Sequence, residues 1–308
     1  MNKISTKGGI PVENLKIQAY NPERDKAAIR AMVCGDEYFD EMFQESEMNF
    51  KDGIFVACYN GLTVGFLSFS SFKRATDTTI FVSKEYRRMG IGTELIKKAD
   101  KLLFQNEVVE RSVGLCLDGD RTSLQFLYKN GYYIFHSSYF MEREGEPLTE
   151  SNNISVRKYE DDDYLKFHSI REMAFYKMRE RVGMLPSYYY APEELERKNF
   201  LEDRNNRFVM LVNGEIAGIG VIDGSEIRQV AIQPDIQSHG YGRAFVSFLV
   251  NEIMSRGEKS VNLWVVKGNF AKNLYESLGF KEKSLYHSVQ KYYRPDSRLS
   301  QPPNKDIL

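Results

Sequence analysis

Apolar and polar positions along this chain recur with two periods, and the switches between them mark its elements. Period-two alternation between turn residues predicts strands over 15–19, 54–58, 63–70 and 78–82, then over 112–117 and 132–141. A recurrence near 3.6 residues predicts helices over 23–33, 91–104 and 121–129. The second half runs through the same order. Strands are predicted over 154–157, 207–212, 215–222, 225–232, 261–266 and 280–292, and helices over 161–178, 193–200, 241–255 and 269–278. Pro192 opens one of these helices at a first-turn position, where proline is tolerated. Asn213-Gly214 is a two-residue hairpin signal. The fold class is α+β (mixed α/β), with an antiparallel meander feeding a strand–loop–helix.

The similarity of the halves extends to residues. Phe55-Val-Ala-Cys-Tyr-Asn60-Gly-Leu-Thr-Val-Gly65 parallels Phe208-Val-Met-Leu-Val-Asn213-Gly-Glu-Ile-Ala-Gly218. Arg87-Arg-Met-Gly90-Ile-Gly92 parallels Gln237-Ser-His-Gly240-Tyr-Gly242, and Phe126-Leu-Tyr-Lys-Asn-Gly131 parallels Leu274-Tyr-Glu-Ser-Leu-Gly279. The offsets are 153, 150 and 148, so three landmarks recur in order. A half-chain repeat means two similar domains. The polar stretch 142–153, with Gly145 and Pro147, sets the expected boundary: domains over 1–145 and 146–294, then a polar, proline-rich tail over 295–308 expected to be poorly ordered.

Composition agrees. A chain of 308 residues, 42% of them hydrophobic, is long enough for two cores and too apolar for a mostly disordered chain. Lys+Arg number 42 against 43 Asp+Glu, without the basic excess that a nucleic-acid partner favours. Cys34, Cys58 and Cys116 are widely spaced with no CxxC, and the four histidines stand singly, so neither a disulfide framework nor a metal site is expected. The cysteines read as small buried hydrophobes. The first ten residues hold no signal-peptide core, and the apolar run 244–250 is too short to span a membrane, so the expectation is a soluble cytoplasmic protein.

The chemistry gathers in the loops between strand and helix. Val82-Ser-Lys-Glu-Tyr-Arg87-Arg88-Met-Gly90-Ile-Gly92 and Ile232-Gln-Pro-Asp-Ile-Gln237-Ser238-His239-Gly240-Tyr241-Gly242 each place small residues at a helix start. Unpaired N–H groups and the positive end of the helix dipole meet there, and glycine lets a ligand approach the backbone; together these make a pyrophosphate cradle. The third glycine of a dinucleotide fingerprint and the lysine of a P-loop are both missing.

These residues, with Ala271, Leu274, Tyr275, Gly279 and Phe280 downstream, resemble the GNAT N-acetyltransferases, whose pattern is [Q/R]-x-x-G-x-[G/A] followed by A-x-x-[L/F]-Y-x-x-x-G-F. The resemblance covers nearly the whole chain, once per half. It implies two tandem GNAT-like domains, each with a mostly antiparallel twisted central sheet flanked by helices. It implies acetyl-CoA as cosubstrate and direct acetyl transfer to a primary amine. The backbone across Gln237–Gly242 would hold the pyrophosphate, with Arg87, Arg88, Gly90 and Gly92 as its counterpart. It also implies Tyr275 as general acid toward the departing thiolate and Glu226, eleven residues before Gln237, as base, the spacing seen in histone-type members.

The halves differ at these positions: Leu127 stands where the second half has Tyr275, and Thr76 where it has Glu226. Tyr128, one residue on, points about 100° away on a helix. The expectation is a catalytic C-terminal domain and a degenerate N-terminal one. The acceptor is expected to be a small-molecule amine or an aminoacyl group, held near the segment 181–192 with its Tyr188-Tyr189-Tyr190, and neither nucleic acid nor membrane is expected as partner. A non-catalytic acyl-CoA sensor and an aminoacyl-transferring ligase remain as alternatives; oligomeric state is not legible.

Overall fold

A computed structural model describes residues 14–295 except 150, 152 and 186. The expected signal-free N-terminus and most of the polar tail lie outside the described residues. The chain forms two compact units.

The first unit begins with β1 (Leu15–Ala19), α1 (Pro22–Val33), α2 (Glu37–Asn49), β2 (Ile54–Tyr59), β3 (Leu62–Phe69) and β4 (Ala75–Val82). It continues with α3 (Ile91–Gln105), β5 (Arg111–Leu117) and α4 (Arg121–Lys129). Strands β1 to β4 form an antiparallel meander, and β4 pairs with β5 in parallel. The sequence pattern did not mark α2. Its helix start is set by the Asp36 side chain, which accepts from the Phe39 N–H, and Phe43 fixes it to the core beside Ile29 and Phe66.

The second unit repeats the plan with β7 (Ser155–Lys158), α5 (Tyr164–Arg181), α6 (Glu194–Glu202), β8 (Arg207–Val212), β9 (Glu215–Asp223) and β10 (Glu226–Ile232). Then come α7 (Tyr241–Ser255), β11 (Ser260–Val266) and α8 (Ala271–Ser277). Strands β7 to β10 are antiparallel, and β11 joins β10 in parallel. Along β8, Phe208 and Met210 pack with α7, while Val209 between them packs with α5. Alternation therefore puts α5 and α7 on opposite faces of the sheet. The α7 face is seated by Phe245 and Leu249, which lie where a Cβ on Gly220 would stand, at 3.0 and 2.9 Å.

The units do not divide the chain at one point near 145. Residues 135–144 of β6 (Tyr133–Glu144) belong to the second unit, where β6 pairs antiparallel with β11 and buries Met141. Residues 288–292 of β12 (Lys281–Tyr292) belong to the first, where Val289 packs with Ile96, Cys116 and Tyr132. Each unit is thus completed by strand residues from the other half of the sequence. The hydrophobic pattern marks these strands but not their destination, because any sheet edge satisfies it.

Ahead of α5, the acidic run 160–163 forms a short 3-10 turn over Asp161–Asp163. Its Asp163 is buried and takes both arms of the Arg157 guanidinium at 2.6 and 2.8 Å. All three cysteines are free thiols, with Cys116 buried as expected, Cys58 half-buried and Cys34 exposed.

Candidate active site

The loop after β10 is closed by its own side chains. Gln237 Nε2 donates to the Ile232 carbonyl at 3.0 Å, and His239 Nδ1 lies 2.9 Å from the Gln237 carbonyl oxygen. Ser238 and Gly240 take φ of 69° and 87°, and α7 opens at Gly240 with no side-chain cap. The first-turn N–H groups of α7 are the orphan donors of a helix start. A Cβ on Gly240 would meet nothing within 4 Å, so the space over this backbone is open to a ligand. A pyrophosphate fits such a cradle.

Beyond the loop the strands part. β10 and β11 pair only at Glu226↔Asn262 and Ile227↔Leu263, and β10 carries a bulge between Ile227 and Gln229. A cavity of about 550 Å³ opens beyond that pairing. Ile232, Gln237, Ser238, Gly240 and Gly242 line it, together with Tyr275 of α8. Of the expected cosubstrate residues in this loop, His239 and Tyr241 do not line it; their rings stack on each other at 6.3 Å. Arg181 and Val182, at the start of the segment expected to hold the acceptor, do line the cavity, whereas Phe175, Lys177 and Met178 of α5, and Arg243, were not foreseen. The apolar stripe of Ala174, Met178 and Val182 continuing to the end of α5 was the available signal.

Tyr275 is 7% exposed, its ring edge-on to Phe280 at 5.9 Å. Burial pushes its phenol up to about 12, so it keeps its proton at neutral pH. Glu226 is half-buried, and burial raises its carboxyl above the usual range, with Asp223 adding to the effect and Arg228 opposing it. It does not line the cavity. Val230, the first lining residue of β10, lies four residues on, roughly 13 Å along an extended strand. The structure therefore brings Tyr275 to the cradle and leaves Glu226 at the far end of the strand.

In the first unit the loop backbone is nearly the same: Arg88 and Gly90 take φ of 66° and 86°, and Arg87 Nε donates to the Val82 carbonyl at 2.8 Å. The surroundings differ. Phe126 stands where the second unit has Leu274, and its ring lies 2.9 Å from where a Cβ on Gly92 would be; Leu274 leaves 3.4 Å at Gly242. Tyr128 is exposed.

The three tyrosines expected at the acceptor do not line the cavity. Their segment is tied down by its backbone. Tyr190 N–H donates to Glu172 at 3.1 Å, its carbonyl faces His168 Nε2 at 2.9 Å, and the Tyr188 carbonyl accepts from Arg179 at 2.6 Å. Behind them Glu196 meets His168 Nδ1 and Arg171, each at 2.6 Å. Burial alone would raise the Glu196 carboxyl, but His168 and Arg171 hold it down at about 2. His168, Arg171, Glu172 and Arg179, buried along one face of α5, form a polar brace for this segment.

Among the described residues, no group of three or more His, Cys, Asp or Glu is placed to hold a metal, and no helix is long and apolar enough to cross a membrane. Comparison with known proteins bears on both halves. The model of the acetyltransferase (GNAT) family matches residues 20–132, and that of the FR47-like proteins matches residues 212–289. The chain is 31% identical over 114 residues to the [ribosomal protein bS18]-alanine N-acetyltransferase of Escherichia coli, covering 33% of this chain and 77% of that protein. It is 28% identical over 147 residues to an uncharacterized N-acetyltransferase of Methanocaldococcus jannaschii, covering 42% and 61%. Among solved structures, a GCN5-related N-acetyltransferase from Sphaerobacter thermophilus superposes with a TM-score of 0.69 at 17% identity, covering 94% of this chain and 98% of that one. A tandem GNAT protein from the clavulanic acid pathway gives 0.61 at 12%, covering 92% and 100%. These two show the fold.

Proposed function

The chain belongs to the GNAT family of acetyl-CoA-dependent N-acetyltransferases, in a tandem two-domain form, and from that premise we propose that the second unit carries the catalysis. The observation behind this is the cavity that joins an uncapped helix N-terminus to the buried, protonated Tyr275 between parting strands. The N–H groups from Ser238 to Gly242 hold the pyrophosphate of acetyl-CoA, and the walls of Val230–Ile232 take its extended arm. The bound thioester supplies an activated acetyl group. Tyr275 holds the proton that the leaving sulfur needs. Glu226 lies beyond direct reach of the amine, since abstraction needs contact within about 3 Å or one intervening water, so as base it would act only through a longer chain of waters from the paired end of β10. The acceptor is a primary amine, either a small molecule or an aminoacyl α-amine; the Escherichia coli relative is named for acetylating alanine of a ribosomal protein.

The first unit, over most of 1–145, keeps the loop but is catalytically degenerate in this reading. Leu127 offers no proton, and the Phe126 ring crowds the approach over Gly92. Native mass spectrometry with acetyl-CoA tests both statements. One molecule should bind per chain and be lost in Gly240→Val, where a β-branched side chain would have to adopt φ of 87°. Two bound molecules would give the first unit a working site, and none would sink the reading.

A further inference from the structure

Two cations on α5 have no place in this scheme. Lys177 and Arg181 both line the cavity, one helical turn apart. Neither has a hydrogen bond or ion pair among the described residues; Lys177 is half-buried and Arg181 exposed. Like charges at this spacing repel along a helix. No Asp or Glu lines the cavity to offset them. Nearby cations do find partners: Arg171 pairs with Glu172 and Glu196, and Arg179 with the Tyr188 carbonyl.

They stand on a different element from the phosphate cradle. The cradle belongs to α7, which also contributes Arg243 to the lining. α5 packs on the opposite face of the sheet, through Phe167 and Ile170 against Val209, Ile219 and Ala231. The cavity has lining from both faces because β10 and β11 stay paired over only two residues. With the arm placed along Val230–Ile232 in the catalytic reading, the α5 side of the cavity is left for the acceptor. That side presents Phe175 and Met178 beside the two cations.

Building on the catalytic reading of the second unit, we propose that the acceptor is an amine carrying an anionic group, of which a carboxylate is the simplest, and that Lys177 and Arg181 recognise that group. The amine nitrogen then faces the thioester while the anion is held on α5. Specificity would follow from charge: removal of the anion leaves two cations uncompensated in a half-enclosed site.

The test uses the full chain saturated with CoA and a matched pair of product-like probes, N-acetylglycine and N-acetylglycinamide, read by ligand-observed NMR titration. N-acetylglycine should bind about tenfold tighter or more, and Lys177→Met with Arg181→Met should abolish the difference. Circular dichroism and acetyl-CoA affinity of the double variant should match the parent. Equal binding of the two probes, or binding of neither, overturns the proposal. So does a double variant that loses affinity for acetyl-CoA but not for its 3′-dephospho form, since the cations would then serve the CoA phosphate. Failure of the parent chain to bind acetyl-CoA at all would instead remove the catalytic reading on which this rests.

Discussion

At the residue scale, Tyr275 and Glu226 make separable predictions. Tyr275→Phe keeps the ring against Phe280 and removes only the hydroxyl. It should lower kcat by about a hundredfold or more, with acetyl-CoA affinity unchanged in a binding titration. Glu226 has its carboxyl raised by burial. Between the ordinary carboxylate value and the raised folded one, the native state binds more protons than the unfolded state. Stability therefore falls as pH rises through that window. Glu226→Gln should melt higher than the parent at pH 7 and equally below about pH 4, as thermal scans at the two pH values would show. If it acts as base, the same variant should lose the acid limb of the rate profile.

At the element scale, the brace behind α5 is the most exposed to pH. Glu196 is held at about 2 against its burial by His168 and Arg171, below its usual 4.5. Its contribution to stability is present above 4.5 and lost as pH falls from there toward 2. Acid unfolding monitored by tryptophan and tyrosine fluorescence should be blunted in that window by Glu196→Gln, at the cost of lower stability at pH 7. The β9–α7 contact is a packing case. Gly220→Ala forces a methyl to within about 3 Å of Phe245 and Leu249. Overpacking of this kind costs roughly 1–3 kcal/mol, which denaturant melts would report.

At the scale of the whole molecule, the exchange of β6 and the end of β12 decides what can stand alone. The first unit depends on residues 288–294. Lys291 and Tyr293 both bond Asp100 at 2.8 Å, and Arg294 bonds the carbonyls of Leu103, Phe104 and Val109. The second depends on β6 against β11. Separate chains cut at 145/146 should each melt at lower temperature and less cooperatively than the intact protein, as calorimetry of the two halves would reveal. An equal melting profile for either half would mean that these strand residues add little to its unit.

Much of this protein is local and was legible in its sequence. The repeat, the Asn-Gly hairpins and the loop after β10 depend on φ preferences and hydrophobic period over a few residues, and strands and helices such as 207–212 and 241–255 fall where the pattern put them. The fold class follows from the same information, and of the expected loop residues Ile232, Gln237, Ser238, Gly240 and Gly242 line the cavity while His239 and Tyr241 do not. The structure alone decided which strand residues complete which unit, because pairing of a sheet edge is long-range and indifferent to sequence order. It also decided that Glu226 does not line the cavity that Tyr275 lines, despite a familiar spacing, since distance along an extended strand accumulates with every residue. Tyrosines 188–190 proved to be braced by buried charges and the α5 cations to face the cavity, because burial and pairing are fixed only when separate elements pack.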